Sequence, residues 1–225
     1  MFQAVLFDFD GVIADTEWLH SETFRKVLAE EGIHINDEDH DARFLGINDR
    51  TAFVKAFAEV NRTITPGDVE SLAARKSAHY TRKLGEVRPF AGVVELVGTL
   101  AARAPLAIAS GGRGTEIDAI LRAHGLRQHF LAVYSADEIP RSKPAPDLFL
   151  AAFEAIRVAR PRHHGVLRAS DCVVIEDSIH GIHAAKAAGM HCVAVAHTYP
   201  RERLGAADRI VEKIADLSAD DLISL

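Results

Sequence analysis

Short apolar runs recur along the chain, and they constrain its fold more than any other feature of the sequence. They do not alternate between apolar and polar residues, which is typical of strands buried on both faces of a parallel sheet. The runs are Ala4–Phe7, Leu106–Ala109, Ala132–Tyr134, Cys172–Ile175 and Cys192–Ala196. A polar cluster follows each run, which predicts that each strand ends there.

Helical patterns separate several of these runs, with apolar residues at three-to-four-residue spacing. The patterns are Val93–Arg103, Glu116–His124, Asp147–Ile156 and the alanine-rich Ile182–Ala188. Strands that alternate with helices indicate an α/β fold, and we predict a doubly wound, Rossmann-like parallel sheet.

The stretch from about Thr16 to Leu84 breaks this alternation, because it contains only helical patterns. The patterns are Glu17–Glu31, Arg50–Asn61 and Val69–Leu84, separated by Gly32 and by Thr65-Pro66-Gly67. Glycine and proline are common where helices end or begin. We therefore predict an inserted α-helical domain over residues 16–85, and an α/β core formed by residues 1–15 and 86–225.

Composition excludes several classes of protein. The 225 residues are 48% hydrophobic and 26% charged, which are ordinary values for a folded globular chain. A net charge of −6, with no strongly basic stretch, argues against nucleic acid as the main partner. A phosphate site is still compatible with this charge, because such a site depends on a few local residues.

The sequence also bears on cellular location. Its apolar stretches are shorter than the roughly 18 residues needed to span a membrane, and its first residues lack the basic and apolar regions of a secretion signal. Cys172 and Cys192 lie in apolar runs without zinc or redox spacing, so we expect two buried thiols. We predict a cytoplasmic protein with no membrane partner.

The residues after each apolar run are the candidates for a functional site, since open α/β sheets bind ligands at the carboxyl ends of their strands. Asp8-Phe9-Asp10-Gly11 follows the first run, and Ser110-Gly111-Gly112-Arg113-Gly114 follows the second. A loop after the third run leads to Ser142-Lys143-Pro144-Ala145-Pro146-Asp147, and Glu176-Asp177-Ser178 follows the fourth. The predicted sheet brings these four clusters to one edge.

This set of side chains suits a metal-assisted phosphate site. Carboxylates gathered at one edge repel one another, and a hard cation such as Mg²⁺ relieves that repulsion. Lys143, the Ser110 hydroxyl and the backbone N–H groups from Gly111 onward are groups that bind phosphate. Asp8 can then attack phosphorus, while Asp10, on the same side of the strand, protonates the leaving oxygen and later activates water.

Each cluster alone has a plainer interpretation, as a surface turn, a loop or a helix cap, but all four in this order resemble the haloacid dehalogenase superfamily of phosphatases and phosphomutases. The resemblance covers nearly the whole chain. Its matching residues are Asp8-x-Asp10-Gly11, Ser110, Lys143-Pro144-x-Pro146-Asp147 and Glu176-Asp177-Ser178-x-x-Gly181. It implies an α/β core with a small helical cap inserted after the first strand.

The resemblance also implies roles for single residues. Asp8 is the nucleophile and a metal ligand, and Asp10 is the general acid/base whose backbone carbonyl also binds the metal. Asp177 is a direct ligand of Mg²⁺, and Glu176 is a direct or water-mediated one. Ser110 and Lys143 hold the transferring phosphoryl group.

The helical insert is similar to the cap of the subfamily that contains β-phosphoglucomutase and related sugar-phosphate phosphatases. This similarity implies substrate-site roles for His20, Gly46, Arg50 and Lys76. One departure matters: where the mutase has an arginine after the specificity-loop glycine, this chain has Asp49, and Arg50 lies about 100° further around a helix. The plainer alternative is that Arg50 and Lys76 are solvated helix charges and that His20 is a partly buried polar residue.

Three functions follow from these residues. The leading hypothesis is a Mg²⁺-dependent phosphatase that hydrolyses a small phosphorylated metabolite, such as a sugar phosphate, through an aspartyl-phosphate. The alternative is a β-phosphoglucomutase that interconverts β-glucose 1-phosphate and glucose 6-phosphate, which Thr16, His20 and Lys76 favour and Asp49 disfavours. The third is a binding module without catalysis, which the complete set of motif residues disfavours. We expect a monomer, as the resemblance implies.

Overall fold

The computed structural model describes residues 2–45, 47–160 and 165–223 of the chain. Contacts between Cα atoms divide it into two units. The sheet unit consists of Met1–Asp15 and Arg88–Leu225, and the helical unit consists of Thr16–Val87. Each unit contains its own cluster of buried apolar side chains.

Six parallel strands form the sheet unit, in the order β3-β2-β1-β4-β5-β6. They are β1 Ala4–Phe7, β2 Leu106–Ser110, β3 Phe130–Ser135, β4 Cys172–Glu176, β5 His191–Val195 and β6 Arg209–Val211. The central strand β1 pairs with β2 on one side and β4 on the other, so that Val5 lies opposite both Leu106 and Val173. The strand order reverses at this point, which is where doubly wound sheets bind their ligands.

Helices cover the strands of this unit. They are α5 Val93–Ala101, α6 Gly114–Ala123, α7 Asp147–Ala159, α8 Ile179–Ala187 and α9 Ala219–Ile223. Every residue of β1, β2 and β4 is buried, which explains why their sequences do not alternate. Leu6 and Val174 pack in one cluster with Phe149 of α7 and Ile182 of α8. The predicted doubly wound α/β fold is confirmed.

Over its described residues, the helical unit contains four α-helices: α1 Glu17–Glu30, α2 Asp37–Phe44, α3 Asp49–Glu59 and α4 Pro66–Lys83. Gly32, with a φ of +76°, follows the end of α1 in a conformation that favours glycine. At the start of α4, Thr65 and Asp68 form a reciprocal capping box. The described part of this unit contains no strand, and its core includes Phe24, Phe53 and Leu72.

Sequence patterns missed or misplaced some elements. Helix α2 was not predicted because most of its residues are charged or polar, and only His40 and Phe44 are buried. Strand β6 was not predicted because it is three residues long. The basic character of residues 157–169 predicts an exposed loop, and this prediction is wrong at its start, since α7 continues to Ala159. The sequence also predicts loop positions for His163 and His164, which lie outside the described residues.

Two further expectations concern burial and membranes. Cys172 and Cys192 are both buried free thiols, as predicted. Burial raises the pKa of Cys172 to about 12 and also raises the pKa of Cys192. Across the residues that the structure describes, no helix has both the length and the apolar character to cross a membrane.

Candidate active site

A tight turn after β1 places the first pair of aspartates. The backbone N–H of Asp8 donates to the Ile175 carbonyl of β4 at 2.9 Å, so Asp8 extends the sheet by one residue. The Phe9 carbonyl accepts from the N–H of Ile13 at 2.8 Å and folds the chain back. Gly11 has a φ of +75° within this turn, a conformation that L side chains rarely adopt.

Three carboxylates and one ammonium group meet at the ends of β1 and β4. Asp8, Glu176 and Asp177 each place one carboxylate oxygen so that the three atoms lie within 4.8 Å of one another, and all three residues are buried. The Lys143 Nζ lies 2.7 Å from Asp8 Oδ1 and 2.6 Å from Glu176 Oε1. When all are ionised, one positive charge faces three negative ones, an excess that a divalent cation would neutralise.

The pKa values follow from this crowding. Burial, together with the carboxylates of Glu176 and Asp10, raises the pKa of Asp8 to about 8 despite the attraction of Lys143. Burial and the charges of Glu176 and Asp8 also raise the pKa of Asp177. Burial alone would lower the pKa of Lys143, but Asp8 and Glu176 outweigh it and raise that pKa, so Lys143 stays protonated at neutral pH.

This donor set fits a hard divalent cation. Its oxygens are carboxylate oxygens, the ligand type that Mg²⁺ prefers. Asp8 Oδ1 is buried and, although Lys143 is close, it lacks a well-directed hydrogen bond. Asp10 is predicted to bind the metal through its backbone carbonyl, and that role stays a prediction.

Glu176 is held by the start of α8. Its Oε2 accepts hydrogen bonds from the N–H of Asp177 at 2.9 Å, and from the N–H and hydroxyl of Ser178 at 2.7 and 2.9 Å. Its Oε1 accepts from Lys143. A Cβ at Gly181 would lie 1.6 Å from Oε1, so the glycine of the Glu-Asp-Ser-x-x-Gly pattern leaves the space that this carboxylate occupies.

The end of β2 adds a hydroxyl group to the same edge. Ser110 is fully buried, and its Oγ donates to Asp10 Oδ2 at 3.3 Å and accepts from the N–H of Gly112 at 2.9 Å. A Cβ at Gly111 would meet no atom within 4 Å, so the backbone there is open. The structure therefore brings Asp8, Asp10, Ser110, Lys143 and the Glu176-Asp177 pair to one edge of the sheet, as the sequence predicts.

The predicted substrate residues of the helical unit have partners within that unit. The Lys76 Nζ, on a residue only 3% exposed, lies 2.5 Å from Asp49 Oδ1 and 3.0 Å from His20 Nδ1. Lys76 is therefore not the solvated helix charge of the plainer interpretation. Arg50 fits that interpretation, since it makes a bidentate and exposed ion pair with Glu70 at 2.6 and 2.9 Å. The sequence predicts a role for Arg50 and not for Asp49, but Asp49 is the residue that meets Lys76.

One predicted residue cannot be located, and two neighbours of the site were not predicted. Gly46, predicted to belong to a specificity loop, lies outside the described residues. Thr198 was missed, and its hydroxyl donates a hydrogen bond to Asp177 Oδ2. It lies three residues beyond the end of β5. The polar residues after the first four apolar runs were taken as site candidates, and the same rule applied to the fifth run would have included Thr198. Phe149 was also missed as a neighbour of the site, and its ring centre lies 4.8 Å from Lys143 Nζ.

The family is decided by a match over most of the chain. The sequence profile described as haloacid dehalogenase-like hydrolase matches residues 5–195, which include the Asp8, Lys143 and Glu176-Asp177 positions. The chain belongs to the haloacid dehalogenase-like hydrolase family.

Two curated relatives and one solved structure are similar to this member of the family. Fructose-1-phosphate phosphatase YqaB of Escherichia coli strain K12 is 32% identical over 195 residues, which cover 86% of this chain and 96% of that protein. Beta-phosphoglucomutase of Bacillus subtilis strain 168 is 29% identical over 224 residues, 97% of this chain and 92% of that protein. The crystal structure of CbbY from Rhodobacter sphaeroides in complex with phosphate aligns over 99% of both chains, with a TM-score of 0.84 and 24% identity.

These comparisons settle the class of the protein. The CbbY structure, at its level of identity, shows the fold alone and agrees with the sheet described above. The family match and the relative named as a phosphatase confirm the prediction of a phosphoric monoester hydrolase.

Proposed function

We propose that this protein is a Mg²⁺-dependent phosphatase that hydrolyses a small sugar phosphate through an aspartyl-phosphate on Asp8. The observation that carries the proposal is the buried cluster of Asp8, Glu176 and Asp177 around the ammonium group of Lys143. Burying several carboxylates is costly unless a bound cation or ligand compensates their charge. The cluster also places a nucleophile, Asp8, beside an ammonium group that can bind phosphate. The similarity to a protein named fructose-1-phosphate phosphatase supports the sugar-phosphate class.

In the first step, a carboxylate oxygen of Asp8 attacks phosphorus and the bond from phosphorus to the sugar oxygen breaks. Asp10 gives its proton to that leaving oxygen, so the sugar departs as a neutral alcohol. Lys143 and the Ser110 hydroxyl bind the phosphoryl oxygens and fix the group in line with Asp8. Ser110 Oγ lies 3.3 Å from Asp10 Oδ2, so the two groups can act on neighbouring oxygens of one phosphate ester.

In the second step, Asp10, now ionised, takes a proton from a water molecule. The resulting hydroxide attacks phosphorus, the bond to Asp8 breaks, and phosphate leaves with the Asp8 carboxylate restored. Bound Mg²⁺, held by Asp8, Asp177 and Glu176, would neutralise charge on the phosphoryl oxygens. With the cation bound, Asp8 would stay an anion at neutral pH, although burial raises its pKa to about 8 in the metal-free protein.

The helical unit favours a phosphatase over the mutase. A mutase of this subfamily passes through a sugar bisphosphate, so it has to bind a second phosphate group. Lys76 is already neutralised by Asp49 at 2.5 Å, and Arg50 is paired with Glu70. A second phosphate would have to displace Asp49 and would meet its negative charge, whereas sugar hydroxyl groups can donate hydrogen bonds to it.

A panel of sugar monophosphates and bisphosphates tests this proposal, scored both for free phosphate and for the isomeric sugar phosphate. We expect phosphate release from monophosphates that depends on Mg²⁺, with little isomer formed. Rapid acid quenching should also trap one phosphoryl group on the peptide that contains Asp8, seen by mass spectrometry. Asp8→Asn should abolish both signals, because an amide is neither a nucleophile of this strength nor an anionic ligand.

Asp118→Asn is the matched control, since Asp118 is a partly exposed carboxylate of α6 that pairs with Arg122. It should keep full activity. Full activity in Asp8→Asn would overturn the mechanism, and conversion of β-glucose 1-phosphate to glucose 6-phosphate without phosphate release would establish the mutase instead.

A cytoplasmic location and a monomeric state stay predictions. Size-exclusion chromatography with light scattering tests the monomeric state.

A further inference from the structure

Thr198 lies at the carboxyl edge of the sheet, on a loop that backbone hydrogen bonds hold in place. The loop leaves β5 at Val195, whose carbonyl accepts from the N–H of His197 at 2.9 Å. The N–H of Ala196 donates to the Val211 carbonyl of β6 at 2.8 Å. Ala196 and His197 are thereby tied to β6 and β5, and Thr198 follows them directly in the chain.

The hydroxyl of Thr198 reaches the carboxylate of Asp177. Its Oγ1 donates a hydrogen bond to Asp177 Oδ2, and Asp177 is only 4% exposed. Both groups lie against the turn after β1, because a Cβ at Gly11 would be 1.8 Å from Asp177 Oδ2 and 3.0 Å from Thr198 Oγ1. The contact thus joins three strand ends, those of β1, β4 and β5.

We propose that Thr198 is a positioning residue of the metal site, whose hydroxyl group orients the Asp177 carboxylate for a divalent cation. The inference rests on the proposed function, because it takes Asp177 as a metal ligand. Partners that orient the ligands of a metal contribute strongly to its binding, and their loss typically weakens affinity by about 10- to 100-fold. A hydroxyl suits this task because it restricts rotation of the carboxylate without adding a positive charge that would compete with the metal.

The donor type distinguishes Thr198 from Lys143. Lys143 brings a full charge to Asp8 and Glu176. At Asp177 the structure provides a neutral donor instead, so this hydrogen bond adds no positive charge that would repel the cation. In this cluster, Asp177 is therefore held by the neutral hydroxyl of Thr198, whereas Asp8 and Glu176 share the ammonium group of Lys143.

The test is calorimetric titration of Mg²⁺ into metal-free protein, without substrate. Thr198→Val removes the hydroxyl and keeps the shape of the side chain, so we expect the dissociation constant for Mg²⁺ to rise by about 10- to 100-fold. Thr198→Ser keeps the hydroxyl and should bind Mg²⁺ nearly as tightly as the native protein. Thr81→Val is the control, since the Thr81 hydroxyl donates to the Ser77 carbonyl within α4 and its loss should leave Mg²⁺ binding unchanged.

Several outcomes would overturn the inference. Native affinity in Thr198→Val would show that the hydroxyl does not act on the metal, and equal weakening in Thr198→Ser would show that the methyl group matters instead. Circular dichroism will show whether Thr198→Val folds normally. If it does not, Thr198→Ala, which also lacks the hydroxyl donor, replaces it in the Mg²⁺ titration. If native protein binds no Mg²⁺, both this inference and the magnesium-dependent function fail, whereas normal native binding with an unaffected valine variant removes this inference alone.

Discussion

Replacing Lys143 with methionine removes the ammonium group that contacts Asp8 and Glu176 and keeps a side chain of similar length. The Lys143 side chain is 10% exposed, and its Nζ lies 2.7 Å from Asp8 and 2.6 Å from Glu176. In the absence of metal, Lys143→Met leaves both carboxylates buried without their cation. We expect a large loss of stability, because an unpaired buried charge is far more costly than an exposed one.

The size of the loss follows from the burial of the partners. Removing one member of a buried ion pair costs about 3–5 kcal/mol, a large share of the roughly 5–15 kcal/mol that stabilises a typical domain. For a chain of this length that corresponds to a fall in melting temperature of roughly 6–20 °C. Glu176 keeps three hydrogen bonds from Asp177 and Ser178, so most of the cost falls on Asp8.

Urea unfolding in a chelating buffer at pH 9.5, above the Asp8 pKa of about 8, measures this loss when followed by circular dichroism. Lys186→Met is the matched control. The Lys186 Nζ lies 2.7 and 2.8 Å from the oxygens of Asp208, but the two side chains are 38% and 36% exposed. Such an exposed pair contributes only about 0–1 kcal/mol. The two lysines therefore have similar distances to their partners and differ in burial.

The charge argument is refuted if Lys143→Met and Lys186→Met lose the same stability. It is also refuted if the loss in Lys143→Met is the same at pH 5.5 as at pH 9.5. At the lower pH, Asp8 is protonated because its pKa is about 8, so removing the cation should cost less. A loss independent of pH would instead indicate loss of the contact between the Lys143 ammonium group and the Phe149 ring.

Further predictions concern pH, space and metal. Burial raises the pKa of Asp8 from 3.8 to about 8, so between these values the folded protein holds a proton that the unfolded chain releases. Metal-free protein should therefore lose up to ~1.4 kcal/mol of stability per pH unit between about pH 5 and 8. Urea midpoints that stay level or rise over this range would contradict the prediction. Gly181→Ala should cost about 1–3 kcal/mol and most of the phosphatase activity, because its Cβ would lie 1.6 Å from Glu176 Oε1. Gly98→Ala, in α5 with no atom within 4 Å of its Cβ, should instead gain about 0.4–1 kcal/mol and keep activity. Chelation of Mg²⁺ should abolish phosphate release and its return should restore it; activity that persists in the chelator would contradict the metal requirement.

Local sequence was sufficient for much of the fold and for the core of the site. Strands buried on both faces consist mostly of apolar residues, so the apolar runs reveal β1, β2 and β4 directly. Parallel strands present their carboxyl ends at one edge, so the polar residues after those runs had to meet there. This is why the sequence alone predicts that Asp8, Ser110 and Glu176 lie close together.

Patterns failed where burial is slight or elements are short. Helix α2 has two buried residues among charged ones, so no apolar face marks it in the sequence. Strand β6 is three residues long at the edge of the sheet. Neither carries enough apolar residues for periodicity to be recognised.

The sequence by itself determined which chemical groups reach the edge of the sheet, whereas tertiary structure decided which of them are partners. Lys143 lies between Asp8 and Glu176, residues far from it in the chain, and Thr198 reaches Asp177 from a fifth strand. Lys76 is paired with Asp49 and not left for solvent. The physical reason is that the strength of a charge or a hydrogen bond depends on distance and burial, and both are fixed only when distant segments pack together.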